Sequence, residues 1–309
     1  MFGRKRISLY ILIVVSLTAC IFPEKEIVRE TGFLTLNGTE LFYETMGEGE
    51  PLVILHGGPG MEHGYFLPHL ETLAKEYKLI FFDQRACGRS SAQVDSSTMT
   101  MAQFVEDIDA VRIYFGIEKM NLMGHSWGGL LAMWYAKTYP DRLKSLILVN
   151  SIGASREFTA QAFATMNSRI SDRDKIHREK IMGSESFQKG DSATILELYR
   201  FSFAQSFYRR ELLDSLHLRI GSDALERQQL LTGLYSDLTN YDLHESLRAV
   251  WCPVLILHGG YDATPAEALQ KVATHLPNAR MVALPQCGHW AFIEAPDMFF
   301  REVSGFLKE

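Results

Sequence analysis

The chain has 309 residues, of which 47% are hydrophobic and 22% are charged, and its formal net charge at pH 7 is −6. This composition is ordinary for a globular protein, and it excludes a largely disordered, a collagen-like or a multi-span membrane protein. The basic cluster lies in the first six residues, so nucleic acid is not an expected partner.

The first twenty residues have the pattern of an export signal. Arg4, Lys5 and Arg6 precede an apolar stretch, residues 7–19, which is too short to span a bilayer comfortably but is typical of a signal peptide. The stretch ends in Leu17-Thr-Ala-Cys20, which resembles the bacterial lipobox. That resemblance implies cleavage after residue 19 and a diacylglyceryl group on Cys20, which would anchor the chain to a membrane.

We therefore expect a signal peptide at residues 1–19, a lipid-anchored tether at residues 20–31 and an exported protein. Ile21, rather than Asp, follows the lipidated Cys20, which suggests the outer membrane if the source has one. A short uncleaved anchor or a chance match is the alternative.

Strand and helix patterns alternate after this tether. Asn37-Gly38 between two apolar stretches predicts a β-hairpin, because both turn positions need positive φ. Short continuous apolar runs predict strands buried on both faces, at residues 51–55, 79–82, 120–123, 143–149, 254–257 and 281–284. Helical spacing lies between them, at residues 67–76, 100–115, 127–138, 265–275 and 297–308. This order predicts an α/β fold with a mostly parallel central sheet and helices on both faces.

One segment interrupts the alternation. Residues 154–247 contain no strand-like run, only helical spacing and charged segments such as Asp172–Lys180. We expect an inserted helical cap at residues 154–247, on a core formed by residues 32–153 and 248–309.

Gly124-His-Ser-Trp-Gly-Gly129 lies between the predicted strand 120–123 and the predicted helix 127–138. G-x-S-x-G in this context is typical of a nucleophile elbow, which is a strained turn that carries the Ser. Residues larger than glycine at the two Gly positions would collide with neighbouring strands. We predict that Ser126 is a nucleophile and that the Trp127 N–H, at the start of the helix, donates to an oxyanion. A glycine-rich turn without chemistry is the alternative.

A serine hydroxyl needs a base within hydrogen-bond reach. His289 follows the last predicted strand and is the predicted base, with a surface-loop histidine as the alternative. Asp262 follows the strand at residues 254–257 and is predicted to orient the base. Some hydrolases place the acid after the preceding strand, but that position here is Asn150, which carries no charge. The chain order Ser126, Asp262, His289 is that of α/β-hydrolases.

His56-Gly-Gly-Pro-Gly60 follows the predicted strand 51–55 and predicts a second oxyanion donor. We assign it to the Gly58 N–H, with the adjacent Gly57 as the alternative. A phosphate cradle is excluded, because no Lys-Ser/Thr follows and Pro59 has no N–H. We expect no metal ion and no cofactor.

Three cysteines follow Cys20, namely Cys87, Cys252 and Cys287. An odd number does not indicate a disulfide framework, so we expect sheltered thiols, with a bridge between Cys87 and Cys287 as the alternative.

Together these motifs resemble the proline iminopeptidase branch of the α/β-hydrolases, peptidase family S33. The resemblance extends from about Gly32 to the C-terminus and rests on five segments: His56-Gly-Gly-Pro-Gly60, Asp83-Gln-Arg-Ala-Cys-Gly-Arg-Ser90, Gly124-His-Ser-Trp-Gly-Gly129, Gly260-Tyr-Asp262 and Cys287-Gly-His289. It implies an aminopeptidase that removes N-terminal residues, often proline, from short peptides, with Ser126, Asp262 and His289 as its triad.

The resemblance also implies acidic side chains that hold the ammonium of the substrate. Cap residues Glu197, Asp237 and Glu245 are the candidates, and a solvated helix charge is the alternative for each. The chain departs from the family pattern at Ala86, where Gly is usual, and at Ala263, where a Glu can follow the catalytic Asp.

Two other functions are open. An esterase or lactonase would use the same triad, with an apolar pocket lined by aromatic side chains of the cap in place of an amine site: Phe158, Phe163, Tyr199, Phe201, Phe203, Phe207 and Tyr208. A membrane-tethered binding protein would keep the fold without catalysis. Dehalogenase and epoxide-hydrolase chemistry is excluded, because it needs Asp in place of Ser126.

Overall fold

An eight-stranded sheet organises the part of the chain that the computed structural model describes, residues 27–309. The strands are β1 (Arg29–Leu36), β2 (Thr39–Met46), β3 (Glu50–Leu55), β4 (Tyr77–Phe82), β5 (Met120–His125), β6 (Leu143–Val149), β7 (Val254–Gly259) and β8 (Ala279–Leu284). Their order in the sheet is β1-β2-β4-β3-β5-β6-β7-β8. Strand β2 is antiparallel to β1 and β4, and the other pairs are parallel. The predicted α/β fold with a mostly parallel sheet is confirmed.

The first strand begins earlier than the sequence suggested. Arg29 pairs with Met46 and Thr31 with Glu44, so residues 29–31, predicted as the end of the tether, belong to β1. The turn between β1 and β2 is the predicted one, with positive φ at Asn37 and Gly38. The predicted signal peptide, Cys20 and the tether up to residue 26 lie outside the described residues.

The central strands are apolar because both faces of the sheet are covered. Side chains alternate between the two faces of a strand, and in β3 Leu52 and Ile54 belong to one apolar cluster while Val53 and Leu55 belong to the other. Both clusters are packed under helices, so both faces of β3 are buried from Leu52 to Leu55.

Twelve helices of the α type are described: α1 (Met101–Tyr114), α2 (Trp127–Thr138), α3 (Arg156–Ser168), α4 (Asp172–Met182), α5 (Glu185–Gln188), α6 (Ser192–Ala204), α7 (Ala224–Leu230), α8 (Tyr235–Leu238), α9 (His244–Leu247), α10 (Ala266–His275), α11 (Ala291–Glu294) and α12 (Pro296–Leu307). Helices α1, α2 and α10 cover one face of the sheet, and α11 and α12 cover the other. The helix expected at residues 67–76 is a 3-10 helix, His69–Lys75.

The segment between β6 and β7 contains α3 to α9 and contributes no strand to the sheet in the described structure. An isolated bridge between Ser155 and Asp242 joins its two ends. The segment therefore leaves and re-enters the core at neighbouring points, as an insertion does. None of the helices described within residues 27–309 is long and apolar enough to cross a membrane.

The three described cysteines are free thiols, so the alternative bridge between Cys87 and Cys287 is not formed. Burial raises the pKa of Cys87 to about 12 and that of Cys252 to about 11. These two thiols are therefore protonated at neutral pH.

Candidate active site

Ser126 lies on a tight turn between β5 and α2, with φ 58° and ψ −120°. Its N–H donates to the carbonyl oxygen of Val149, 3.0 Å away. A Cβ on Gly124 would overlap the backbone of Gly128, and one on Gly128 would overlap the carbonyl of Leu55. The surrounding glycines thus allow the backbone approach that a strained serine turn requires.

Asp262 and His289 form a hydrogen-bonded pair beside this turn. The Nδ1 atom of His289 lies 2.8 Å from Oδ2 of Asp262, and the Asp262 side chain is 1% exposed. Burial alone would raise the pKa of Asp262, but the charge of His289 and its hydrogen bond hold that pKa well below its usual range. The hydrogen bond that the Thr264 N–H donates to Oδ1 of Asp262 lowers this pKa as well. The carboxylate is therefore ionised at neutral pH and accepts a hydrogen bond from Nδ1–H of His289.

Ser126 and His289 line one cavity of about 210 Å³. Its other walls are Gly57, Gly58, Pro59, Met61, His125, Tyr199, Phe203 and Trp290. The structure thus brings the three predicted catalytic residues together: Asp262 orients His289, and His289 shares the cavity with Ser126.

The loop that carries His289 is fixed through its backbone. The N–H of His289 donates to the carbonyl of Ser206, 2.8 Å away, and its carbonyl accepts from Nε2 of His125, 2.9 Å away. One residue earlier, the N–H of Gly288 donates to Glu294. The carbonyl of Gly288 accepts from Asn150 at 2.9 Å. Segments far apart in the chain therefore determine where the imidazole lies.

The loop after β3 passes directly beside the nucleophile, since a Cβ on Gly57 would lie 3.2 Å from Cβ of Ser126. The N–H of Gly57 donates to the Tyr65 hydroxyl oxygen at 2.6 Å and is unavailable to a substrate. The N–H groups of Gly58 and Trp127, by contrast, have no acceptor within residues 27–309. Gly58 also has φ +133°, a conformation that favours glycine. The geometry therefore favours Gly58 over Gly57 as the donor of this loop.

The second sequence motif braces this loop. Nε2 of His56 accepts from the N–H of Gln84 at 3.0 Å, and the Gln84 amide donates back to the His56 carbonyl at 2.8 Å. Nε1 of Trp127 donates to Oε1 of Gln84 at 2.9 Å. Burial lowers the pKa of His56 to about 4, so its ring is neutral at pH 7. Ala86 in the same motif has φ 56°, in the region that favours the glycine usual in the family.

None of the three carboxylates predicted to bind an ammonium lines the described Ser126 cavity. Glu197 pairs with His177 at 3.3 Å on an exposed surface. Asp237 accepts from the N–H of Met101 at 2.7 Å and so caps α1. Glu245 is 80% exposed and pairs with Arg248. All three assignments remain sequence-based predictions without a geometric basis in the cavity.

A second, apolar cavity of about 290 Å³ adjoins the first, with Tyr199 and Phe203 in both linings. It is lined by Phe187, Ile195, Leu198, Tyr199, Ser202, Phe203, Ala224, Leu225 and Gln228. Of the aromatic residues considered from the sequence for a pocket, these two are the ones that line it. Phe207 instead stacks on Trp290, and Phe163 is exposed.

Four contributors to the site escaped the sequence analysis: Tyr65, Ser206 and Glu294, which gave no signal, and Asn150, which was set aside as uncharged. Nδ2 of Asn150 donates to Oδ2 of Asp262 at 2.8 Å. One buried carboxylate near the cavity was also missed. Glu62 lines a small neighbouring space with Tyr199 and Arg219.

Residues 50–296 match the model of the alpha/beta hydrolase fold family, and the chain belongs to that family. The chain is 26% identical over 291 residues to a proline iminopeptidase of Saccharolobus solfataricus, a match that covers 91% of this chain and 93% of the relative.

Two solved structures share the fold. An alpha/beta fold family hydrolase from Bacillus anthracis superposes with a TM-score of 0.72 at 22% identity, covering 90% of this chain and 99% of that one. A proline iminopeptidase from Mycobacterium smegmatis superposes with a TM-score of 0.68 at 23% identity, covering 90% and 98%. The chain is thus an alpha/beta hydrolase, distantly related to proline iminopeptidases over most of its length.

Proposed function

We propose that this protein is a serine hydrolase that works through an acyl-enzyme on Ser126. We further propose that it is an aminopeptidase that releases N-terminal, proline-type residues from short peptides. The observation that carries the hydrolase proposal is that His289, which lines the cavity of Ser126, is hydrogen-bonded to the ionised Asp262. The aminopeptidase proposal is supported by the similarity to a proline iminopeptidase over 91% of the chain.

In this mechanism His289 takes the proton of the Ser126 hydroxyl as its oxygen attacks the substrate carbonyl. Asp262 accepts a hydrogen bond from Nδ1–H and stabilises the imidazolium that forms. The Trp127 and Gly58 N–H groups stabilise the oxyanion, and one such donor typically contributes about 3–4 kcal/mol to the transition state. His289 then gives its proton to the leaving amine as the C–N bond breaks. Water, activated by the same base, hydrolyses the acyl-enzyme.

A carboxylester hydrolase or lactonase is the second candidate, and the lining of the cavity favours it. No carboxylate lines either the Ser126 cavity or the apolar cavity beside it within the described chain. Burying a substrate ammonium without a paired anion costs free energy, whereas burying a neutral acyl group does not. For an aminopeptidase, a candidate anion is the buried Glu62, which lines a small space beside Tyr199.

Comparing three substrates decides between the candidates: a free-amine prolyl arylamide, its N-acetylated form and a short p-nitrophenyl ester. An aminopeptidase prefers the free amine, and the activity disappears in Ser126→Ala. Ser145→Ala is the matched control, because it removes a buried hydroxyl that bonds Asn121 on a neighbouring strand. Ester turnover without arylamide turnover would refute the aminopeptidase and leave the esterase. If an active-serine probe fails to label Ser126, the chain is a binding protein.

We also propose that residues 154–247 act as a cap over the site, and that the chain is exported and lipid-anchored through Cys20. The cap is supported by the insertion of α3 to α9 between β6 and β7. The anchor is supported by the basic residues, apolar stretch and lipobox-like sequence before Cys20. Metabolic labelling with a radioactive fatty acid tests the anchor. We expect label and membrane association in the wild type, and neither in Cys20→Ala; an unlabelled wild type would refute it.

A further inference from the structure

A buried chain of hydrogen bonds connects the loop after β3 to the loop of the catalytic base. It begins at the N–H of Gly57, which donates to the Tyr65 hydroxyl at 2.6 Å. The hydroxyl lies 2.8 Å from Nδ1 of His125, and Nε2 of His125 lies 2.9 Å from the carbonyl oxygen of His289. Tyr65 and His125 are each 1% exposed. The two side chains therefore link both sides of the site without contact with bulk water.

The direction of every bond in this chain is fixed by its ends. The Gly57 N–H can only donate, so the Tyr65 oxygen accepts there and its single proton goes to His125 Nδ1. The proton of the neutral imidazole must then be on Nε2, and it points at the His289 carbonyl, which can only accept. Burial lowers the pKa of His125 to about 3, so the neutral form persists across the working pH range.

Aromatic packing holds both rings in the planes that these bonds require. Tyr65 meets Trp290 edge-on, with ring centroids 5.5 Å apart, and His125 lies 5.2 Å from the same indole. Phe292 contacts both rings from another side. Because Trp290 and Phe292 pack closely against both rings, neighbouring side chains cannot move in to replace a lost hydrogen bond.

We propose that Tyr65 and His125 are positioning residues of the hydrolase, a role that rests on the proposed function. Tyr65 engages the Gly57 N–H, which leaves Gly58 as the donor of its loop that faces an oxyanion. His125 holds the carbonyl of His289 and with it the placement of the imidazole against Ser126. Neither side chain takes part in bond making. Each sets the distance between groups that do.

Substitutions at His125 separate its two bonds. His125→Asn keeps an acceptor near the Tyr65 hydroxyl but has no donor that reaches the His289 carbonyl. His125→Gln keeps a donor at about the position of Nε2. We expect His125→Asn to lower kcat on a p-nitrophenyl ester about tenfold with KM within twofold, and His125→Gln to restore most of the loss. A tenfold change corresponds to about 1.4 kcal/mol of transition-state stabilisation.

Tyr65→Phe tests the other half of the chain. We expect a similar loss in kcat, and the double variant Tyr65→Phe/His125→Asn should lose less than the product of the single effects, because both interrupt one network. Tyr135→Phe is the matched control: its buried hydroxyl bonds Asp109 at 2.9 Å, outside the site, and kcat should not change. Thermal unfolding of each variant shows that it is folded.

The rate at which a fluorophosphonate labels Ser126 provides a readout independent of the substrate. Labelling slows about tenfold in His125→Asn and Tyr65→Phe if the two residues position the base and the loop. Wild-type rates in folded variants, or a loss in His125→Gln equal to that in His125→Asn, would overturn this proposal alone. A wild type that does not label would overturn the hydrolase proposal, and this one with it.

Discussion

Replacing Asn150 by glycine tests whether β6 helps to hold the catalytic acid in place. The Asn150 amide donates to Asp262 at 2.8 Å and to the Gly288 carbonyl at 2.9 Å. A bond to an ionised carboxylate contributes about 1.5–3 kcal/mol and a neutral one about 1 kcal/mol. Asn150 has φ 44°, so glycine at this position removes backbone strain of roughly 1 kcal/mol. The net loss of stability should be about 2 kcal/mol, or a fall in Tm of roughly 3 °C for a chain of this size.

The effect on turnover should exceed what this loss of stability explains. Without Asn150, Oδ2 of Asp262 keeps His289 as its partner but loses the donor that fixes its rotation, so we expect kcat to fall about tenfold. Asn121→Ala is the matched control. Its buried amide donates to Glu50 at 2.9 Å and to Pro51 at 3.2 Å, at the opposite end of the sheet.

Thermal unfolding and ester hydrolysis, measured on both variants at a temperature where both are folded, separate the two effects. We expect comparable losses in Tm and a loss in kcat only in the Asn150 variant. Equal kcat values in the two variants would refute the argument that Asn150 orients the acid.

Three further predictions concern pH, charge and backbone space. Burial lowers the pKa of His63, but hydrogen bonds and charges from Asp83 and Glu44 outweigh it and raise the pKa to about 9. The imidazolium therefore stabilises the fold fully below about pH 6.5, and this stabilisation is lost as the pH rises through about 9. In urea unfolding, the free-energy difference between the wild type and His63→Gln should shrink by roughly 3 kcal/mol between about pH 6 and 10. A difference that does not change with pH would contradict this. Asp262→Asn should lower kcat by about 10⁴-fold with little change in Tm, because the imidazole loses its orienting acceptor, and a loss under tenfold would rule out that role. Gly124→Ala should yield little folded protein, since its Cβ would overlap backbone; a soluble variant with wild-type Tm would disprove the steric argument.

Much of the fold was predictable because its signals are local. The apolar runs of β3 and β5 to β7 follow from burial on both faces, which favours apolar side chains at most positions of each strand. Ser126 could be identified from its glycines, which the turn requires within a few residues. Asp262 and His289 could be identified because each follows a recognisable strand, and parallel strands bring their ends to one edge of the sheet.

The remainder of the site depends on contacts between distant segments. Tyr65 and His125 are 60 residues apart, and Asn150 reaches Asp262 across 112 residues. Neither pair leaves a local pattern in the sequence. Glu197 and Asp237 were chosen by charge and by their place in the predicted cap, and charge alone does not tell which way a helix faces.

The bond between the Ser206 carbonyl and the His289 N–H connects the cap segment to the loop of His289. Ser206 lies two residues after the end of α6, whose Tyr199 and Phe203 form part of the wall of the Ser126 cavity. A second bond, from Trp290 to the Ser206 hydroxyl at 2.8 Å, doubles the link. Displacement of α6 by a ligand would therefore strain the backbone at His289. We therefore expect a compound that binds against α6 in the apolar cavity to perturb the position of the His289 imidazole and to inhibit turnover without contact with Ser126.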